Sequence, residues 1–288
     1  MLIVAVLVVG FSFCPRTIEN SVGVCVHIED FEDFENQTIS HLIDLGVSYV
    51  RTDWSIPNDS MRKYSEDLQN NNIKLLAIID HKTFGYKIPS LEEWNRTITE
   101  LVTSEDFRYV DAVEIWNEPN AGLFALQPED YYEMLKSAYA IIKNYTKIPV
   151  IFAGVSPEVS GWEVYLNTVF ALRDTQDNFD FMGIHLYGNL TYNLHTLQFV
   201  KGLTSKPIWL TETGKPSAFE GNTEQGQAEY LSYVYITARP LASKIFFYEL
   251  RDGTWEPNNP KEVYFGLLTR EGAKKEAYHI VWNICRDQ

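Results

Sequence analysis

No glycine-rich phosphate loop occurs in this 288-residue sequence. Neither G-x-G-x-x-G after the first apolar run nor G-x-x-x-x-G-K-[ST] anywhere is present, which removes the main signature of nucleotide-cofactor chemistry. Positive charge is also scarce: 24 Lys and Arg against 39 Asp and Glu leave a net charge of −15. A field of that sign repels phosphate backbones and acidic membrane surfaces, so nucleic acid is excluded as an expected partner. The zinc spacings H-x-H and H-E-x-x-H are missing, and no metal is expected. There is no Gly/Ser/Pro linker and no low-complexity tract to divide the chain. The N-terminal stretch from Met1 to Cys14 carries no charge but is shorter than the roughly 20 residues of a spanning helix. No Lys or Arg precedes Arg16, so the basic start of a signal peptide is absent as well.

What is present is a chain with 45% hydrophobic and 14% aromatic residues, enough to bury a sizeable core. Eight apolar runs of strand length recur every 25 to 39 residues: Val22 to His27, Val47 to Asp53, Ile73 to Asp80, Val110 to Trp116, Pro149 to Val155, Phe179 to Tyr187, Pro207 to Glu212 and Lys244 to Glu249. Several, such as KLLAIID and PVIFAGV, are apolar almost throughout, as parallel strands covered on both faces are. Helical spacing fills the intervals. Ser90 to Thr103 opens with the capping box Ser90-Leu91-Glu92-Glu93, and Glu129 to Tyr145 follows Pro128. Eight strand–helix units predict one (β/α)8 TIM barrel over residues 15–288, behind an apolar leader at 1–14 that reads as a signal peptide or anchor remnant. An open doubly wound sheet is the alternative. Five N-x-[ST] acceptors, at Asn36, Asn58, Asn95, Asn144 and Asn189, suit a secreted glycoprotein.

In such a barrel the chemistry belongs at the C-terminal ends of the strands. The fourth run ends Trp116-Asn117-Glu118-Pro119-Asn120 and the seventh ends Leu210-Thr211-Glu212-Thr213-Gly214. Each brings a carboxylate to the mouth, and two such groups facing each other are what glycosidic cleavage requires: a protonated acid for the departing oxygen and an ionised carboxylate for the anomeric carbon. WNEPN after the fourth strand and LTETG after the seventh resemble the signatures of glycoside hydrolase clan A, with families 5 and 39 the nearest branches, over nearly the whole chain. The resemblance implies Glu118 as acid/base, Glu212 as nucleophile and Asn117 as a donor to the sugar 2-hydroxyl. It also matches Arg51 to an arginine that keeps the nucleophile ionised, His185 and Tyr187 to a His and Tyr on the sixth strand, and His81 to a family 5 histidine. The clan's tryptophan at the end of the eighth strand is missing here; Tyr248 or Trp255 is expected in its stead.

The expected function is therefore a retaining glycosidase acting on a β-linked glycan, with no cofactor, no obligatory protein partner and a monomeric state. A non-catalytic glycan-binding barrel and a metal-dependent barrel hydrolase are the competing readings. The acidic string Glu29 to Asp33 reads as a solvated rim, and Trp54, Phe84, Tyr86, Phe124, Trp162 and Trp255 as rings that would form a glycan cleft if they cluster at the mouth. Of the three cysteines, Cys25 reads as a buried small hydrophobe. Cys14 and Cys285 are expected to meet in a disulfide, because the last helix of a closed barrel ends near where the chain enters.

Overall fold

A computed structural model describes residues 21–54, 59–254 and 260–287. The leader at 1–14, Cys14 with its expected bridge to Cys285, the acceptor Asn58 and Trp255 lie outside the described residues. The chain runs β1 (Val22–Cys25), α1 (Ile28–Leu45), β2 (Tyr49–Asp53), α2 (Asp59–Asn70), β3 (Lys74–Ile79), α3 (Leu91–Thr103), β4 (Ala112–Ile115), α4 (Pro128–Tyr145), β5 (Val150–Val155), α5 (Trp162–Ala171), β6 (Phe181–Leu186), α6 (Leu190–Leu203), β7 (Ile208–Thr213), α7 (Glu224–Ala238), β8 (Ala242–Phe247) and α8 (Glu276–Arg286). All eight strands are parallel, each pairs with the next, and β8 pairs with β1 to close a (β/α)8 barrel.

Local chemistry explains the elements. Ser90 caps α3 by accepting from the Glu93 backbone N–H, and Pro128 opens α4 where its missing N–H costs nothing. Strand residues facing outward pack with the helices into one large apolar layer that includes Val24, Val50, Val113, Phe152, Ile184 and Leu210. Inward-facing residues build a second, separate cluster. Its floor is Tyr49, Leu76, Ala112, Ile151, Trp209 and Phe246, with the Lys244 ammonium 4.4 Å from the centre of the Tyr49 ring. The barrel is thus solid below, and a layer of polar side chains rests on that floor.

The ladder is irregular where it matters. Ile184 pairs with Leu210 but His185 pairs with Glu212, so β7 carries one extra residue, Thr211, against β6. This bulge breaks strict alternation and turns both Thr211 and Glu212 toward the interior. The acidic string forms the first turns of α1, where Glu29 and Glu32 are exposed as a solvated rim requires, but Asp30 departs from that expectation: it is buried, 3.9 Å from Arg251 and 3.8 Å from Arg270. Negative charge in a first helical turn is favoured by the helix dipole.

Candidate active site

A cavity of about 350 Å³ opens at the C-terminal end of the barrel, with lining residues from every strand or the loop that follows it. Glu118 stands in the loop after β4 and Glu212 on β7. His185, on β6, lies between them: its Nδ1 is 2.9 Å from Glu118 Oε1 and 3.5 Å from Glu212 Oε2. The nearest functional atoms of the three side chains all fall within 4.8 Å of one another. That makes them the one group among the described residues with the spacing of a metal site, although two facing carboxylates around an imidazole have this spacing for other reasons.

Glu212 is held from two sides. Arg51 Nη1 donates to its Oε1 at 2.5 Å and the Tyr187 hydroxyl donates to its Oε2 at 2.5 Å. Burial would raise its pKa, but the charges of His185 and Arg51 and the hydrogen bonds from Tyr187 and Arg51 win and hold the carboxyl below its ordinary range. Arg51 is fixed in turn. Its Nε donates to Glu114 Oε2 at 2.6 Å and its Nη2 to Asn117 Oδ1 at 2.9 Å. With Asn117 Oδ1 committed to Arg51, the amide nitrogen is left to donate into the cavity.

Glu114 is a site residue that the motif reading missed. It is fully buried on β4, and besides Arg51 it accepts from the Gly154 backbone N–H at 2.7 Å and the Thr211 hydroxyl at 3.0 Å. The signal was available: a carboxylate inside an otherwise apolar strand, two residues before Trp116, requires a buried partner. A second missed cluster lies on the β8–β1–β2–β3 side. His27 Nε2 is 2.7 Å from Glu249 Oε2, Lys82 donates to Asp53 at 2.6 Å, and the Tyr248 hydroxyl is 3.3 Å from His27. Burial opposes charge on His27, but Glu249 and Asp53 outweigh it and its pKa stands well above the ordinary value.

Gly154 makes room for this arrangement. A Cβ there would lie 2.0 Å from His185 Nε2 and 2.7 Å from Thr211 Oγ1. His185 Nε2 is buried against it with no hydrogen-bond partner among the described residues, so Nδ1, which faces the carboxylates, carries a proton in the neutral and the charged ring alike. Trp116 and Glu118 both adopt left-handed backbone conformations, with φ of 72° and 44°. Such strain costs about 1–3 kcal/mol per residue and persists only where neighbours enforce it. Here the Glu118 N–H donates to Gly154 O, the Trp116 N–H to Ile79 O and the Trp116 indole to Phe124 O.

Of the residues singled out from sequence, Arg51, Asn117, Glu118, Tyr187, Glu212 and Tyr248 line the cavity, and His185 touches both carboxylates from beneath. His81 does not line it; its ring stacks on Phe124 at 4.0 Å, and burial and Lys82 depress its pKa to about 4. Of the rings expected to form an aromatic cleft, none of the five described ones lines the cavity. Trp54, Phe84 and Trp162 are buried packing residues, and the rings at the cavity are Tyr187, Tyr248 and Phe265.

The barrel is similar to a family 39 glycoside hydrolase from the gut symbiont Bacteroides cellulosilyticus WH2, with a TM-score of 0.72 and 20% identity over 92% of this chain and 63% of that one. It is also similar to an exo-β-1,4-mannosidase from Opitutaceae bacterium strain TAV5 (TM-score 0.71, 14% identity, 93% of this chain and 59% of that one). A β-glucosidase from Exiguobacterium marinum matches with a TM-score of 0.68 and 14% identity, over 90% of this chain and 87% of that one. The chain thus spans under two thirds of the length of the first two proteins. No curated protein matches its sequence. The glycosyl hydrolase catalytic core model matches residues 83–239, more than half the chain and the stretch that carries both candidate carboxylates, and the chain belongs to that family.

Proposed function

We propose that the protein is a retaining glycoside hydrolase acting on β-linked sugars, with Glu212 as nucleophile and Glu118 as acid/base. The observation that carries this reading is the pair of carboxylates whose nearest oxygens approach within 4.8 Å. A separation of at most 4.8 Å fits the about 5–5.5 Å of retaining enzymes better than the about 6.5–9.5 Å that an inverting enzyme leaves for water. The unlike environments of the two groups support the division of roles. Glu212, charge-compensated by Arg51 and bonded by Tyr187, suits attack on the anomeric carbon; Glu118, in a strained loop at the cavity wall, suits protonation of the departing oxygen.

In the first step Glu212 forms the glycosyl ester as the leaving oxygen takes the Glu118 proton. Negative charge leaves Glu212 and appears on Glu118. His185 Nδ1–H is within reach of both and follows the charge from one to the other. Glu118, now ionised, takes a proton from water, which attacks the ester and releases the sugar. The Asn117 amide is aimed to donate to the 2-hydroxyl, where the bond strengthens in the oxocarbenium-like transition state. Structural similarity to enzymes described as a β-glucosidase and an exo-β-1,4-mannosidase supports β-linked substrates.

Activated aryl β-glycosides test the assignment. Glu212→Ala is expected to abolish turnover, and azide is expected to restore it by attacking from the vacated face to give a glycosyl azide of inverted configuration. Undiminished hydrolysis by Glu212→Ala would exclude the mechanism.

A further inference from the structure

A second cavity, of about 330 Å³, adjoins the first and shares four of its lining residues, Glu158, Tyr187, Lys261 and Phe265. Its charge is of the opposite kind. The catalytic cavity is lined by the acids Asp53, Glu118, Glu158, Glu212 and Glu262 against Arg51, Lys82 and Lys261, whereas among the described residues the second has Glu158 as its one acid, itself exposed, against Lys215 and Lys261. Neither lysine makes an ion pair among the described residues. In a chain of net charge −15, two lysines without an ion-pair partner among the described residues, lining one hollow, create a local reversal of the field.

The surrounding backbone adds to that reversal. Asn189, which caps α6 by accepting from the Tyr192 N–H, and Asn222, next to the α7 cap Thr223, both line the cavity, so the N-terminal ends of two helices of 14 and 15 residues meet there. The Lys215 ammonium lies over the first turn of α7, 3.7 Å from where a Cβ on Gly226 would be. Helix N-termini and lysines together favour an anion. The Tyr187 ring, whose hydroxyl holds Glu212, forms part of the wall between the two hollows.

We propose that this second cavity is a subsite for an anionic sugar, bearing a carboxylate or a sulfate ester, next to the sugar whose bond is cleaved. The proposal rests on the glycosidase reading for what happens in the neighbouring cavity, but the binding does not. Three β-linked oligosaccharides that differ only in carrying glucuronate, a sulfated sugar or a neutral sugar are titrated calorimetrically into Glu212→Gln protein, which cannot consume them. One anionic form is expected to bind about tenfold tighter than the neutral one, the scale of one charge-assisted hydrogen bond. Which anionic form gains identifies carboxylate or sulfate as the group read. The ratio should collapse in Lys215→Ala and in Lys261→Ala, and shrink as salt is raised.

Equal binding of all three sugars, or a preference that survives both lysine substitutions, would overturn the subsite. The two readings separate cleanly. A preference that depends on Lys215 in a protein that hydrolyses no glycoside keeps the subsite and removes the enzyme. Hydrolysis of neutral chains without any preference does the reverse.

Discussion

Replacing Glu114 by Gln tests whether Glu212, the proposed nucleophile, is positioned from beneath. The carboxylate accepts three hydrogen bonds: Arg51 Nε on one oxygen, and the Gly154 N–H and Thr211 hydroxyl on the other. An amide has one oxygen to offer. If that oxygen stays with Gly154 and Thr211, the NH2 group confronts the Arg51 N–H; if it turns to Arg51, the Gly154 N–H is stranded. Both orientations leave a buried donor unpaired and remove a counter-charge from a buried guanidinium, a loss on the scale of about 3–5 kcal/mol. For a domain of this size that corresponds to a drop in melting temperature on the order of 10 °C. Arg51 then loses its anchor on the β4 side, and turnover should fall by about ten- to a hundredfold, because its grip on Glu212 is no longer directed. Urea unfolding gives the stability and aryl-glycoside kinetics the rate. A Glu114→Gln protein within about 1 kcal/mol of the parent and equally active would refute the reasoning, since it would show that the buried carboxylate neither holds Arg51 nor matters to Glu212.

Further outcomes follow from the same geometry. Glu118→Ala should keep most activity on substrates whose leaving group needs no proton, while sugar leaving groups slow by about 10²–10⁴-fold; equal losses on both would contradict its acid role. Gly154→Ala drives a methyl into His185 and Thr211, so turnover should fall at least about tenfold with about 1–3 kcal/mol lost from stability, and an unchanged melting curve would count against that crowding. Stability should decline from pH 6.5 to 8.5. His27, raised by Glu249 and Asp53 against burial, contributes stability that is present below about 6.5, its unfolded value, and lost as pH climbs through the folded one. Asp80, raised to about 7 by burial and the Asp53 charge, also holds its proton longer in the folded state, and the balance moves the same way. His41 and His81, both lowered, act in the opposite direction but have finished near their unfolded values at about 6.5. Urea titrations across that range that showed rising stability would contradict this balance.

The barrel was readable because its strands are nearly unbroken apolar runs between capped, amphipathic segments, and the eight runs correspond to the eight strands with ends shifted by at most two residues. Glu118, Glu212, Arg51, His185 and Tyr187 could be anticipated to meet because each sits at a strand end that a closed barrel brings to one mouth. Three parts could not be read in this way. Thr211 and Glu212 both turn inward only because of the bulge against β6, which simple alternation does not foresee. His81 is turned by ring stacking on Phe124, a contact between loops. That Glu114 needs a buried partner was legible, but its pairing with Arg51 and the His27–Glu249 and Asp53–Lys82 pairs depend on which interior positions share a level, and that is set by barrel stagger.

A single guanidinium from β2 is bonded at once to carboxylates from β4 and β7. In the proposed mechanism the attacking group is therefore oriented only on ring closure, because the staves that carry Arg51, Glu114 and Glu212 must all be in place for these bonds to form. Because those bonds are made before any ligand arrives, the energy of ordering the attacking group is spent during folding, and each encounter with a sugar begins with it already set.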